Sequence, residues 1–273
     1  MNSAEKPQPA DDTLTLAALG IAAYVPAVVA HEALGHGLAA LAVGARPVML
    51  TSCYLSTSGV YPRWIPAGGG IGNLLVGLLS LAVLAVLRSG GPSLRYFFVL
   101  VAAFNLFFAA GYPAYSGIAL FGDWAAVISG LHPAWLYRIL LVVLSVMLYY
   151  LSMLLVAREL RRLIDPGARN ARARLQRITL VPYLAAIAAA ALAASFNPSG
   201  WITIFTSGIP SAAAAFGLTQ MDHFAVVPNA HEDRAMTAAT QPIRRSLSWL
   251  IASAIVLVLF VALLGHGIRL GPQ

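Results

Sequence analysis

Three ionisable side chains, His31, Glu32 and His36, fall within six residues of a long apolar run, between AAYVPAVVA and LAALAVG. A charge at bilayer depth costs about 2.5 kcal/mol or more, so such a cluster requires a compensating partner. A His-Glu pair followed by a second His has the residue types of a zinc hydrolase. Two imidazoles hold the metal, and the carboxylate between them takes a proton from the water that the metal polarises. The plainer alternative is a set of polar groups bonding packed membrane helices to one another.

The spacing is unusual. In H-E-x-x-H the histidines stand one helical turn apart, whereas here Gly35 occupies that place and His36 follows at i+5. At about 100° per residue, i+4 returns to within about 40° of the starting face and i+5 lands about 140° away. On a regular helix His31 and His36 therefore diverge, while Glu32 and His36 share a face. Two arrangements restore a metal site. One is a π-type bulge that absorbs the extra residue, eased by Gly35. The other is a Glu32/His36 ligand pair with His31 outside the coordination sphere.

Two histidines and an open position for water call for a third ligand. Asp123 is the leading candidate, a carboxylate in an otherwise uncharged apolar region beside Gly122; its structural alternative is a helix cap. His132 ranks next. His223 and His231 read as residues of a polar loop, His266 as an end-of-helix residue, and Cys53 as a small apolar filler. With one cysteine, a disulfide framework or a cysteine-rich metal site is excluded.

The elements that must position these groups follow from hydropathy. Of 273 residues, 59% are hydrophobic and 10% charged, which implies an all-α polytopic membrane protein of about six to seven transmembrane helices. Residues 1–13 read as a disordered polar tail. The opening MNSAEKPQPADD lacks a basic stretch leading into a short apolar core, so no cleaved signal is expected. A first helix covers about 14–44, with a kink expected at Pro26. Residues 45–66, rich in Val, Thr, Tyr and Ser, suggest a short membrane-associated β-hairpin turning at Ser58-Gly59.

A second helix opens on Gly68-Gly69-Gly70-Ile71-Gly72-Asn73, where the glycines suit close approach of helix backbones. A third starts near 94, carries Asn105, and is expected to be interrupted at Gly111, Pro113 and Gly117. Residues 14–130 thus form a three-helix core. Residues 131–273 add helices at about 134–157, 179–196 and 246–264, a basic linker at 158–177, a weak or re-entrant segment at 200–220 and a polar loop at 221–245.

The net charge of +7 sits mostly in loops beside apolar segments, which points to orientation and anionic headgroups rather than to nucleic acid. With seven spans and the 158–177 linker in the cytoplasm, 13 of the 17 Lys and Arg lie inside and only Arg46, Arg63, Arg138 and Arg269 outside. The N-terminus is then inside, and the His cluster and Asp123 share an outer depth.

In three places and in order, the chain resembles the site-2 protease family of intramembrane zinc metalloproteases. HEALGHGLAALAVGARP is similar to that family's H-E-x-G-H-A-x-x-A-x-x-x-G, AGGGIGNLL to its A-G-P-x-x-N, and Asn105 followed by Asp123 to its third-helix Asn and Asp. The hairpin at 45–66 has a counterpart there as well. The resemblance covers about residues 20–130 and departs in the extra residue of HEALGH and in the 18 residues between Asn105 and Asp123. The HEALGH spacing itself resembles H-E-L-L-G-H of dipeptidyl peptidase III, a soluble zinc peptidase that binds zinc through both histidines. By the family resemblance, His31, His36 and Asp123 hold one Zn2+, Glu32 is the general base, and Asn73 and Asn105 bind substrate.

The leading expectation is an intramembrane zinc metalloprotease acting on membrane-protein or peptide substrates, in a bacterial inner membrane. A substrate segment would add as a strand to the hairpin. A non-catalytic transporter or scaffold with a structural or transport metal site is the alternative. A di-iron membrane oxygenase is disfavoured, because the chain has six histidines and most lie away from the core.

Overall fold

A computed structural model of the chain describes residues 10–59, 61–87, 90–164, 170–225 and 241–271. Among these, six helices are long and apolar enough to cross a membrane: Thr13–Ala42, Trp64–Val86, Pro92–Ala119, Ala134–Arg161, Ala171–Ala194 and Leu247–Gly265. The protein is a multi-pass, predominantly helical membrane protein with a small β element. Large apolar side chains such as Leu75, Leu79, Val146, Met147 and Val258 point outward, as lipid-facing residues do.

The first span runs as α1 (Thr13–Val29), a π-helical segment (Ala30–Gly37) and α2 (Leu38–Ala42). Asp12 caps it by accepting from Thr15 N at 2.9 Å. Together with α4 (Pro92–Ala119), α1 forms the centre of the bundle. Tyr24 of α1 meets Phe104 and Phe108 of α4 edge-on at 5.9 and 6.0 Å, and Phe260 of the last span at 6.1 Å. Contrary to expectation, α4 runs unbroken through Gly111, Pro113 and Gly117. Proline inside a membrane helix is tolerated where neighbours re-satisfy the freed backbone, and Ser145 donates to Ala110 O in this stretch.

Between the first span and α3 (Trp64–Val86) lies the expected hairpin, β1 (Arg46–Leu50) and β2 (Leu55–Ser58). Its turn is at Thr51–Tyr54, not at Ser58-Gly59. Thr51 N donates to Tyr54 O at 2.9 Å, and the Thr51 hydroxyl accepts from Cys53 N and Tyr54 N at 3.1 and 3.0 Å. The side chain thus replaces the missing ladder bonds. A third strand, unforeseen in the sequence, comes from the chain's end: β3 (Ile268–Arg269) pairs antiparallel with β1, giving the order β2-β1-β3.

After α4, Leu120 and Gly122 take positive φ (56° and 85°) and turn the chain into the short helix α5 (Asp123–Ile128). Asp123 therefore starts a separate helix and is not part of the third span. Next come α6 (Ala134–Arg161) and α7 (Ala171–Ala194). Arg158, Arg161, Arg172, Arg174 and Arg177, read as linker residues, are helical; 165–169 lie outside the described residues. Of the expected polar tail, 1–9 lie outside them too. Asp11 is buried and bonded by Arg174 at 2.9 Å, which ties the start of α1 to α7.

The weak segment is a chain of short pieces: a π turn (Ile204–Gly208), α8 (Ile209–Ala213), a 3₁₀ stretch (Ala214–Gln220) and α9 (Met221–Ala225). It runs the length of α7 in the opposite direction. At one end Thr203 donates to Ala194 O at 3.1 Å; at the other, Arg172 and Gln176 donate to Asp222 at 2.9 and 3.0 Å. The chain then returns through α10 (Leu247–Leu259) and a final π segment (Phe260–Gly265) to the sheet. Most of the expected 221–245 loop, 226–240, lies outside the described residues.

Candidate metal centre

The expected helical defect is larger than a single bulge, with eight residues, Ala30–Gly37, in π register. In that register i and i+5 lie one above the other, so His31 and His36 come onto one side. Their rings meet edge-on with centroids 4.8 Å apart. The glycines of α3 make room for this. A Cβ on Gly35 would lie 2.5 Å from Gly68 O, one on Gly68 2.5 Å from Gly35 O, and one on Gly72 2.5 Å from Ala30 O. The π segment and α3 therefore touch backbone to backbone. Gly69 faces the imidazoles themselves: its Cβ would stand 2.6 Å from Nε2 of both His31 and His36.

From the other side, α5 brings Asp123 over the pair. Its Oδ2 lies 3.0 Å from His31 Nε2 and 3.2 Å from His36 Nε2, and one ligand atom from each residue falls within 4.8 Å of the others. Donors on a tetrahedral zinc with bonds of about 2.0–2.1 Å stand about 3.3 Å apart.

The protons on the rings follow from a chain of bonds. Asn105 donates to Val101 O at 2.8 Å and presents its Oδ1 to the Asn73 amide at 2.9 Å. Asn73 also donates to Ala27 O at 2.8 Å, which leaves its own Oδ1 to accept from His31 Nδ1 at 2.7 Å. His36 Nδ1 donates to Ile65 O at 2.7 Å. Both Nδ1 atoms therefore carry hydrogens, and in the neutral rings both Nε2 lone pairs face the Asp123 carboxylate. Neutral rings placed so repel the carboxylate, and either a proton on Nε2 or a cation between the groups relieves that repulsion. A divalent ion with two neutral imidazoles and two carboxylates brings the cluster to zero net charge.

Glu32 is the second carboxylate. It is buried, and its Oε2 lies 4.0 Å from His36 Nε2 without a hydrogen-bond partner among the described residues. An orphaned buried carboxylate oxygen requires a donor, and a water at the ion would be one. Of the two arrangements open from the sequence, the geometry matches His31/His36 with Glu32 free, and the donor set fits a divalent metal such as zinc.

Asn73 and Asn105, read as substrate-binding residues, are fully buried and engaged with His31, each other and helix carbonyls; neither lines the adjoining cavity. His132 is exposed and outside the cluster, His223 pairs with Asp222 at 3.7 Å, and His266 stacks on Phe196 at 4.9 Å. His231 lies outside the described residues. Cys53 borders the cavity, its thiol pushed up to about 11 by burial, and it is not among the residues whose donor atoms cluster.

The cavity, of about 540 Å³, opens from His31 and Glu32 and is bounded by α4, by Tyr149 of α6 and by the broken segment from Thr206 to Phe216. Sequence reasoning missed two features of it. Tyr112 of α4 packs on His31 with centroids 5.7 Å apart, and the broken segment supplies the far wall. The Gly-Ser-Pro interruptions of 200–220 were the signal for the wall; nothing local marks Tyr112. No family model, curated protein or solved structure matches the chain.

Proposed function

We propose that the chain is a membrane-embedded zinc metallopeptidase that cleaves peptide segments at or within the bilayer. The observation that carries this reading is Glu32: a buried carboxylate whose Oε2 has no hydrogen-bond partner among the described residues and lies 4.0 Å from His36 Nε2, in a cluster whose three donors suit a catalytic metal. When bound there, zinc supplies a polarised peptide carbonyl and an acidified water. Glu32 accepts the proton of the attacking water and passes it to the leaving amine. Asn73 and Ile65 O hold the imidazoles in the liganding tautomer, and Asp123 completes the donor set.

The apolar cavity beside the site accommodates side chains flanking the scissile bond and limits bulk water. Among the described residues, β2 pairs with β1 alone, so its outer edge is open to an extended substrate strand. The family-like motifs support the protease reading, and the segregation of 13 against four basic residues, counted with the broken segment as a seventh crossing, supports an inner-membrane protein whose site opens on the face away from the arginines.

Purified Glu32→Gln tests the proposal. It is expected to keep its zinc, read by elemental analysis, and to lose cleavage of a fluorogenic single-span peptide about 10²–10⁴-fold. Cleavage equal to wild type overturns the reading. So does a wild-type protein that moves metal across vesicles without hydrolysing peptide, which assigns the cluster to transport.

A further inference from the structure

We infer that Tyr112 is a further catalytic residue, its phenol donating a hydrogen bond to the oxygen of the peptide carbonyl as that oxygen gains negative charge. The inference rests on the metallopeptidase reading and deepens it.

Tyr112 follows Asn105 by seven residues on α4, about two turns, so the two share a face. One supports His31 through Asn73; the other packs on the His31 ring and lines the cavity with His31 and Glu32. The phenol oxygen is fixed from behind, where it accepts the Asp123 backbone N–H at 3.4 Å. Gly122 is cut to fit it, since a Cβ there would lie 2.5 Å from that oxygen and the residue's φ of 85° already favours glycine.

The hydroxyl hydrogen of Tyr112 has no acceptor among the described residues. Three other hydroxyls on the cavity wall do have one: Tyr149 donates to Ala214 O at 2.9 Å, Ser211 to Gly208 O at 2.8 Å and Thr206 to Ile202 O at 3.1 Å. Tyr115 and Ser207 also line the cavity with no acceptor among the described residues, and of the three Tyr112 is the one whose ring packs on His31.

Such a donor acts where charge develops. When water adds to the carbonyl carbon, the C=O π pair moves onto oxygen, Glu32 holds the water's proton, and Tyr112 keeps its own. The phenol contributes a hydrogen bond that strengthens from ground state to transition state. Accepting from Asp123 N–H polarises the O–H and makes it a better donor.

Tyr112→Phe is the test, because it keeps the ring on His31 and the clearance at Gly122. Expected are a fall in kcat of about 10²–10³-fold, as for loss of one oxyanion donor, with KM and zinc content unchanged. Independently of turnover, calorimetry should show a phosphinic peptide, which carries a tetrahedral anionic oxygen, binding Tyr112→Phe more weakly by a similar factor. Wild-type kcat and phosphinic affinity in Tyr112→Phe overturn the inference, and so does loss of zinc, which makes the residue structural. If Glu32→Gln is inactive while Tyr112→Phe matches wild type, only the role of Tyr112 falls. If Glu32→Gln cleaves like wild type, the metallopeptidase reading falls first.

Discussion

Asn73 Oδ1 accepts a hydrogen bond from His31 Nδ1 at 2.7 Å, and through it the second and third spans set the chemistry of the first. Asn73 could present either end of its amide. The Asn105 Oδ1 and Ala27 O acceptors claim its NH₂, so the oxygen faces His31, the ring hydrogen is fixed at Nδ1, and Nε2 is left as a lone pair toward Asp123.

Side chain–side chain bonds in membrane bundles average only about 0.6 kcal/mol, so this network matters more for orientation than for stability. Asn73→Ala is expected to lower zinc affinity about 10–100-fold, as loss of outer-shell partners does, while thermal stability changes little. Competition against a chromogenic chelator measures the first and a detergent melting curve the second. Unchanged affinity would mean that the ring is held in some other way.

Gly69 gives a sharper substitution. A Cβ there would lie 2.6 Å from Nε2 of both His31 and His36, at the movable ends of two side chains rather than against backbone. Gly69→Ala should therefore fold, with its imidazoles displaced and zinc stoichiometry near zero. Gly35→Ala, whose Cβ would meet Gly68 O at 2.5 Å, should instead fail to assemble α3 against the π segment. A Gly69→Ala protein with full zinc occupancy would remove the metal from between the two histidines.

Sidedness is the third prediction. Asp11, Arg174, Arg172 and Asp222 gather at one end of the bundle, while the sheet and Asn197 lie at the other with the ends of α7 and the last span. A reporter inserted near residue 167 should behave as cytoplasmic, following the 13-to-four bias of basic residues. A signal from the opposite compartment would turn the site to the cytoplasmic face.

Much of this protein follows from its sequence alone. Long apolar runs with few charges have to become membrane helices, because only a helix satisfies its backbone in lipid. The i+5 spacing of His31 and His36 lets their rings meet only in the π register that Ala30–Gly37 adopts. Gly68 and Gly72 announce close backbone contact for a local reason, the lack of a Cβ, while Gly69 and Gly70 give that room to the His31, His36 and Trp124 side chains.

Other features depended on partners distant in sequence. The Thr51 turn competes with the better-looking Ser58-Gly59, and the sheet is pinned where Ser52 N bonds Leu264 O at 2.7 Å and Leu270 N bonds Val48 O at 2.8 Å. Pro113 and two glycines argue locally for a break in α4, but packing within the bundle keeps the helix whole. The asparagines look free to bind substrate until burial commits their amides. Tyr112 carries no pattern at all. Its hydroxyl acquires meaning only when the turn at Gly122 folds Asp123 back over the π segment, a placement set by long-range packing rather than by any run of residues.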